Sequence, residues 1–387
     1  MKSFYKHLLW AIMALLTVSC GESREEAARR DFEEIISRNK AVGLAVVAIK
    51  DGQVVYDQTF GYRDLESQEP WEGNDVLRIA SISKSFTATG ILQLVEQGKL
   101  SLDADVSDIM GFTIRHPHFP DKPITVQTLL SHTSSMSDAN GYFSFDYLHR
   151  EKSPTWEKVW NRYEPGTGYQ YCNLGFNTLG AIIEKVSGVR FDKYISTNIL
   201  EPLGVYANHN VHALDSSRFV KIYTYSRRDS SFRWTRSAYD LAPEALEDYT
   251  LGYSTTLFSP TGGLKISASD LAKVMLMHMN YGTLDGVKIL ERSSSELMQS
   301  ALTDTDHKDE NYGMAIIQTN DLLKGHRLTG HDGLALGAYT AMYWDPEERY
   351  GFVVMTNGCT GVSDNHVFAN ILCESVECLY KNFIQEK

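Results

Sequence analysis

Apolar and polar positions alternate in two distinct rhythms along the chain. Gly43–Lys50 and Gln53–Phe60 are β-rich runs on either side of Asp51-Gly52, a strong hairpin signal. Ala338–Trp344 and Tyr350–Thr356 flank Asp345-Pro346-Glu347-Glu348 and predict a second hairpin. Helical spacing appears at about Glu25–Arg38, where Phe32, Ile35 and Ile36 share a face. It returns from Ser81 to about Gln97, with Ile91, Leu92, Leu94 and Val95 turned inward. Further helices are expected at 125–131, 174–187, 191–198, Ser269–Tyr281 and about Asn365–Phe383. The stretch 205–258 is rich in Tyr, Ser and Asp, has no clear period, and predicts loops and short elements. Strands at both ends with helices between them predict an α/β (α+β) fold. One antiparallel sheet is built from both termini and flanked by helices, with a mostly helical region inserted. The sheet body is expected at about 30–80 and 255–387, and the helical region at about 81–254.

The first residues follow neither rhythm. Lys2, Lys6 and His7 make a basic start, Leu8–Leu16 is an unbroken apolar run, and Ser19 precedes Cys20. The run is too short for a membrane span, which needs ~20 apolar residues. It reads as a signal peptide over 1–19, followed by a tether at 20–29. Ser19-Cys20 resembles the lipobox of bacterial lipoproteins, in which the Cys is lipidated after cleavage. Thr17 stands where an aliphatic residue is usual, so a plain secretory signal is the alternative. The lipobox implies an exported lipoprotein on the periplasmic or outer membrane surface, anchored without a span.

Composition narrows the partners. The chain has 387 residues, 43% of them hydrophobic, enough for a sizeable core. Its net charge of −12, without a long basic run, argues against nucleic acid, which needs clustered Lys and Arg. Besides Cys20 there are Cys172, Cys359, Cys373 and Cys378, whose spacing matches no zinc module. They read as small core residues, and Cys373 and Cys378 fall on different faces of a helix. His116-Pro117-His118 lacks a third ligand at useful spacing and reads as a surface loop. His132 reads as a hydrogen-bonded core histidine. No metal or cofactor is implied, and the oligomeric state is not legible.

Three short motifs carry chemistry. In Ser81-Ile82-Ser83-Lys84, a helix would put Ser81 and Lys84 on one face, so the lysine can assist removal of the hydroxyl proton. A helix start also favours a developing anion there. The same spacing at Ser3/Lys6 and Ser37/Lys40 lacks that setting. Tyr171-Cys172-Asn173 follows Glu164-Pro165-Gly166-Thr167-Gly168 and stands on a turn ahead of a helix. Its chance copies are Tyr206-Ala207-Asn208 and Tyr380-Lys381-Asn382. His331-Asp332-Gly333 lies between strand candidates and is the only H-x-G in the chain.

In this order and at these wide spacings, Ser-x-x-Lys, Tyr-x-Asn and His-x-Gly resemble the class C branch of the serine β-lactamase and penicillin-binding superfamily. Esterase, D-aminopeptidase and DD-peptidase relatives belong to that branch. Arg78–Phe86, Thr125–Met136 and Thr261–Ala272 are similar to three further stretches of the family. The resemblance implies acyl-enzyme hydrolysis of a small-molecule or peptide-like ester or amide. Ser81 would attack, Lys84 would take or relay its proton, and Tyr171 would be the general base and acid, its phenol shifted by nearby positive charge. Asn173 would orient the substrate or Lys84, and His331 would complete the proton network. The N–H groups of Ser81 and Leu334 would form the oxyanion hole, with Asp332 and Gly333 beside the substrate. In β-lactam-acting relatives a Lys and a Thr meet the substrate carboxylate where this chain has His331 and Asp332. That departure counts against efficient β-lactamase or DD-peptidase action. Those activities, and a catalytically silent peptide- or cell-wall-binding protein of the same fold, are the alternatives.

Overall fold

The computed structural model describes residues 23–386, so the expected signal peptide and Cys20 lie outside the described residues. Five helices of ten residues or more are present among the described residues: α1 (Arg24–Asn39), α2 (Ser83–Glu96), α3 (Asn173–Ser187), α4 (Ala268–Met279) and α5 (Asn370–Leu379). None is long and apolar enough to cross a membrane. Ser23 caps α1 reciprocally: its side chain accepts from Glu26 N–H, and Glu26 Oε2 accepts from Ser23 N–H at 2.9 Å. The helix therefore begins inside the stretch expected to be a tether, and residues 24–29 are helical.

Nine strands form the main sheet among the described residues. Three come early: β1 (Gly43–Lys50), β2 (Gln53–Asp64) and β3 (Glu69–Pro70). Six come late: β4 (Thr303–Asp304), β5 (Asn311–Tyr312), β6 (Ile317–Thr319), β7 (Leu328–Ala335), β8 (Ala338–Asp345) and β9 (Tyr350–Thr356). Their order is β4-β5-β6-β7-β8-β9-β1-β2-β3. The seam between early and late strands is β1 against β9, antiparallel, with Leu44 opposite Thr356 and Lys50 opposite Tyr350. Asp51 and Gly52 take φ of 52° and 77°, the left-handed pair that a two-residue hairpin turn requires, and Lys50 faces Gln53 across it. The expected sheet of both termini is thus the observed one.

β1 is apolar at every position before Lys50 because both its faces are covered. Leu44, Val46 and Ala48 pack with Val354 and Phe352 under α1 and α5. Ala45, Val47 and Ile49 pack with Met355, Val353 and Met342 against the layer that contains α2, α3 and α4. This second layer holds the site.

Several boundaries differ from the sequence reading. α5 starts at Asn370 rather than Asn365 because the Asn365 side chain accepts from the N–H groups of Val367 and Phe368, at 3.0 and 2.9 Å. That local turn competes with helix. The helix expected at 191–198 is a short turn, Phe191–Ile195, continued by a wider coil at Ser196–Leu200. His116 is no surface residue: it is buried, with Nε2 2.8 Å from the Asn161 carbonyl oxygen. Cys373 is only half-buried, while Cys172, Cys359 and Cys378 are buried, and all four are free thiols. Residues 205–258 are turns, short 3-10 segments, one small hairpin, Tyr223–Ser226 with Ser231–Trp234, and the two-residue strand Ala207–Asn208, which pairs with Lys265–Ile266.

Candidate active site

Ser81 does not open an α-helix. It sits in a single 3-10 turn, Ala80–Ile82, that leads into α2. Ala80 carries a positive φ of 49°, a conformation that a residue with a Cβ rarely adopts. The turn is held from two sides. Thr340 Oγ1 donates to the Ile79 carbonyl at 2.8 Å. Gly333 lets β7 approach, since a Cβ there would collide with the Ile79 carbonyl oxygen and Thr340 Oγ1.

One turn on, Lys84 is fully buried. Its Nζ donates to Ser81 Oγ at 3.1 Å, Asn173 Oδ1 at 2.9 Å and the Thr261 carbonyl at 2.8 Å. Burial pushes its pKa down to about 7, against the opposing pull of Asp138 and Asp332. The expected Ser81–Lys84 pair is therefore assembled, with a lysine poised to be neutral near neutral pH.

Tyr171 comes from the turn before α3, and its ring lies 4.8 Å from Lys84 Nζ. Its phenol and Ser81 share a hydrogen bond. Its pKa is raised well above 10 by burial. The sequence reading expected the opposite shift. The physical reason is that Lys84 faces the ring and spends its three N–H bonds on Ser81, Asn173 and Thr261, so a phenolate would lose hydration with no cation bonded to its oxygen. Asn173 does orient Lys84. Its Nδ2 donates to Asp138 Oδ2 at 2.8 Å, which fixes Oδ1 toward the lysine.

His331 is buried and neutral, its pKa pushed down to about 3 by burial and by Lys84. Nδ1 bonds the Asp332 carbonyl, and Nε2 lies 3.4 Å from Tyr312 Oη. It touches none of Ser81, Lys84 or Tyr171 by hydrogen bond; its ring packs directly against Tyr171, at 6.3 Å between centroids, and against Tyr312, at 6.0 Å. Asp332 points to the other face of β7, where the Tyr343 hydroxyl donates to it at 3.3 Å. Burial, with Glu310 nearby, raises its pKa to about 6. Beyond Gly330 the β7 edge has no strand partner on the β6 side among the described residues, and this edge borders a cleft of about 380 Å³. Ser81, Tyr171, Asn173, His331, Asp332 and Leu334 all line it. A larger hollow of about 560 Å³ lies by α5 and residues 321–326 and contains none of the expected site residues.

A family model described as Beta-lactamase matches residues 28–372. The chain belongs to this family. It is 26% identical over 350 residues to "Penicillin-binding protein 4*" of Bacillus subtilis (strain 168), covering 84% of this chain and 70% of that protein. It also matches "Protein flp" of Staphylococcus aureus (strain N315) at 24%, spanning 61% of that protein's length. Among solved structures, the octameric penicillin-binding protein homologue from Pyrococcus abyssi superposes with a TM-score of 0.72 at 27% identity, covering 92% of this chain and 77% of that one. EstCE1, described as a hydrolase with promiscuous acyltransferase activity, superposes with a TM-score of 0.71 at 20% identity and 92% and 98% coverage, a likeness of fold.

Sequence reasoning missed five residues of the site. Asp138 accepts from the N–H groups of Asn173 and Leu174, at 2.8 and 2.9 Å, and so caps α3. Thr261 supplies the carbonyl that holds Lys84, and its hydroxyl donates to Asn173 Oδ1 at 2.6 Å. Tyr312 spaces His331 from His132, whose ring stands 4.3 Å from that of Tyr171. Asp306 and Glu310 add two carboxyls to the cleft wall beside Asp332. As expected, His132 is a core histidine; its Nδ1 accepts from Cys172 N–H at 3.1 Å.

Proposed function

We propose that this chain, a serine hydrolase, cleaves an ester or amide through an acyl-enzyme on Ser81, and that its cleft favours substrates without a carboxylate. One observation carries the first part: a buried lysine of depressed pKa, hydrogen-bonded to the one serine that lines the cleft. Neutral Lys84 accepts the Ser81 proton as Oγ attacks the carbonyl carbon. The N–H groups of Ser81 and Leu334 face the developing oxyanion. The proton returns to the leaving oxygen or nitrogen, with Tyr171 as last donor, because its phenol is protonated and bonded to Ser81. Water then repeats the attack, and Ser81 is released with its proton restored. A silent binding protein has no use for a lysine held against a serine at this cost in desolvation.

The second part rests on charge. Asp306, Glu310 and Asp332 line the cleft, and among the described residues no Lys or Arg does. Above about pH 6 Asp332 is ionised. A carboxylate-bearing substrate finds no cation to replace its water there. One missing charge-assisted hydrogen bond costs about 1.5–3 kcal/mol, roughly ten- to a hundredfold in binding. The β-lactamase or DD-peptidase reading draws support from the penicillin-binding protein at 26% identity. Measuring kcat/KM for a short-chain aryl ester and a cephalosporin decides between them. The ester should lead, and Asp332→Thr should narrow the gap. A cephalosporin preferred by the unaltered protein overturns the second part and leaves the first standing.

Location is proposed on the sequence alone. Ser19-Cys20 after a short apolar run supports a lipidated Cys20 and a membrane-surface protein. The mass of the native N-terminal peptide tests it, and an unmodified Cys20 leaves the plain secretory reading.

A further inference from the structure

A second cavity, about 260 Å³, lies behind the nucleophile turn and shares no lining residue with the cleft. Its floor is a small sheet in which Lys265 pairs directly with Arg78 on one side and Asn208 on the other. Like charges opposed across a strand pair repel, and here Lys265 is buried and Arg78 half-buried. Lys265 is 5% exposed, and Nζ donates to the His209 carbonyl at 2.8 Å. Arg78 Nε donates to the Gly262 carbonyl at 2.7 Å. Neither cation has a carboxylate partner among the described residues. Asp240, the acidic member of the lining, is exposed and pairs with neither.

The same cavity holds polar groups without partners. His209 is 2% exposed, and both of its ring nitrogens lack a hydrogen bond. Ser259 is 7% exposed, with Oγ also unsatisfied. Buried polar atoms are ordinarily paired, so this concentration in one lining needs a reason. Burial and Arg78 push the Lys265 pKa well down, the response of an ammonium that lacks an anion.

We propose that this cavity is a binding site for a small oxyanion, held by Lys265 and Arg78 with His209 and Ser259 as further donors. An oxyanion is the one ligand class that meets every mismatch at once. It separates the opposed cations, accepts from the hydroxyl and the imidazole, and supplies the missing negative charge. The volume admits a phosphate or a small carboxylate with several waters, each taking about 30 Å³. The site is independent of the chemistry at Ser81, although the Gly262 carbonyl that holds Arg78 adjoins the Thr261 carbonyl that holds Lys84.

Titration calorimetry of the full chain with sodium phosphate and with sodium acetate, each against sodium chloride at equal ionic strength, tests it. One saturable site for phosphate or acetate, absent with chloride, is expected, and which oxyanion binds identifies the source. Lys265→Met should weaken binding about tenfold or more, the scale of a lost charge-assisted bond. Without oxyanion that variant should melt no lower than the unaltered protein, because a buried charge is gone. Ser259→Ala, which removes only a hydroxyl, should weaken binding about threefold. No saturable binding of either oxyanion by the unaltered chain overturns the proposal, and so does unchanged affinity in both variants.

Discussion

Lys84 shows most clearly how surroundings remake a side chain. A lysine in water keeps its proton far above neutral pH, whereas this one releases it at about 7 because burial penalises the ammonium. Only the neutral amine can accept the Ser81 proton. The sign follows: kcat/KM should rise about tenfold per pH unit below 7 and level off above it. Ester hydrolysis measured from pH 5 to 9 checks this, and a rise confined to pH near 10 contradicts it. Tyr171→Phe should lower turnover by about 10²-fold with the fold intact, the scale for losing a proton donor. Near-normal turnover in that variant moves the return of the proton to Lys84 alone. Ser81, Lys84 and Asn173 were legible because short spacings within one segment, and their order along the chain, carry them. Asp138 and Thr261 were not, because each is a single residue in a loop. They meet Asn173 only after folding, from 35 and 88 positions away. The direction of the Tyr171 shift was also illegible, since it depends on burial, which a motif does not contain.

Two elements position the chemistry, β7 at the 79–81 turn and α3 at Lys84. β7 approaches through Gly333, whose lack of a Cβ admits the Ile79 carbonyl and Thr340. Gly333→Ala should therefore destabilise by about 1–3 kcal/mol, as overpacking does, and displace the Ser81 turn. Urea unfolding and ester turnover measured together should both fall, and an unchanged pair of values contradicts the packing argument. α3 is tied at its start by Asp138, which meets two of its backbone N–H groups and Asn173 Nδ2. Asp138→Ala should cost about 0.5–2 kcal/mol as a lost cap, and more in turnover than in KM, because Asn173 then ceases to aim Lys84. The hairpin strands β1, β2, β8 and β9 were legible from period and turn residues, down to the Asp51-Gly52 pair; β3 to β6, two or three residues each, are too short to show a period, and His331-Asp332-Gly333 lies inside β7 rather than between strands. The 3-10 turn at Ser81 was not, because the apolar spacing of α2 runs back through it without a break. The late start of α5 was hidden for a similar reason, since Asn365 leaves the helical pattern at the level of its own side chain.

At the scale of the molecule, the sheet joins residues 44–50 to 350–356, so neither end of the chain can complete the core alone. Amide hydrogen exchange should be slowest in β1, β8 and β9, which lie between both core layers. Faster exchange there than in the 205–258 turns contradicts that architecture. The sheet built from both termini was readable because hairpins stood at both ends of the sequence. The cleft's acid wall was not, because Asp306 and Glu310 reach it through the loop between β4 and β5. All of this serves one claim, that Ser81 forms the covalent intermediate with Lys84 as its base. Intact mass after reaction with a fluorophosphonate tests it most directly. The unaltered chain should gain one adduct, mapped to Ser81, and Ser81→Ala should gain none while Lys84→Met reacts far more slowly. An adduct that persists in Ser81→Ala contradicts the claim.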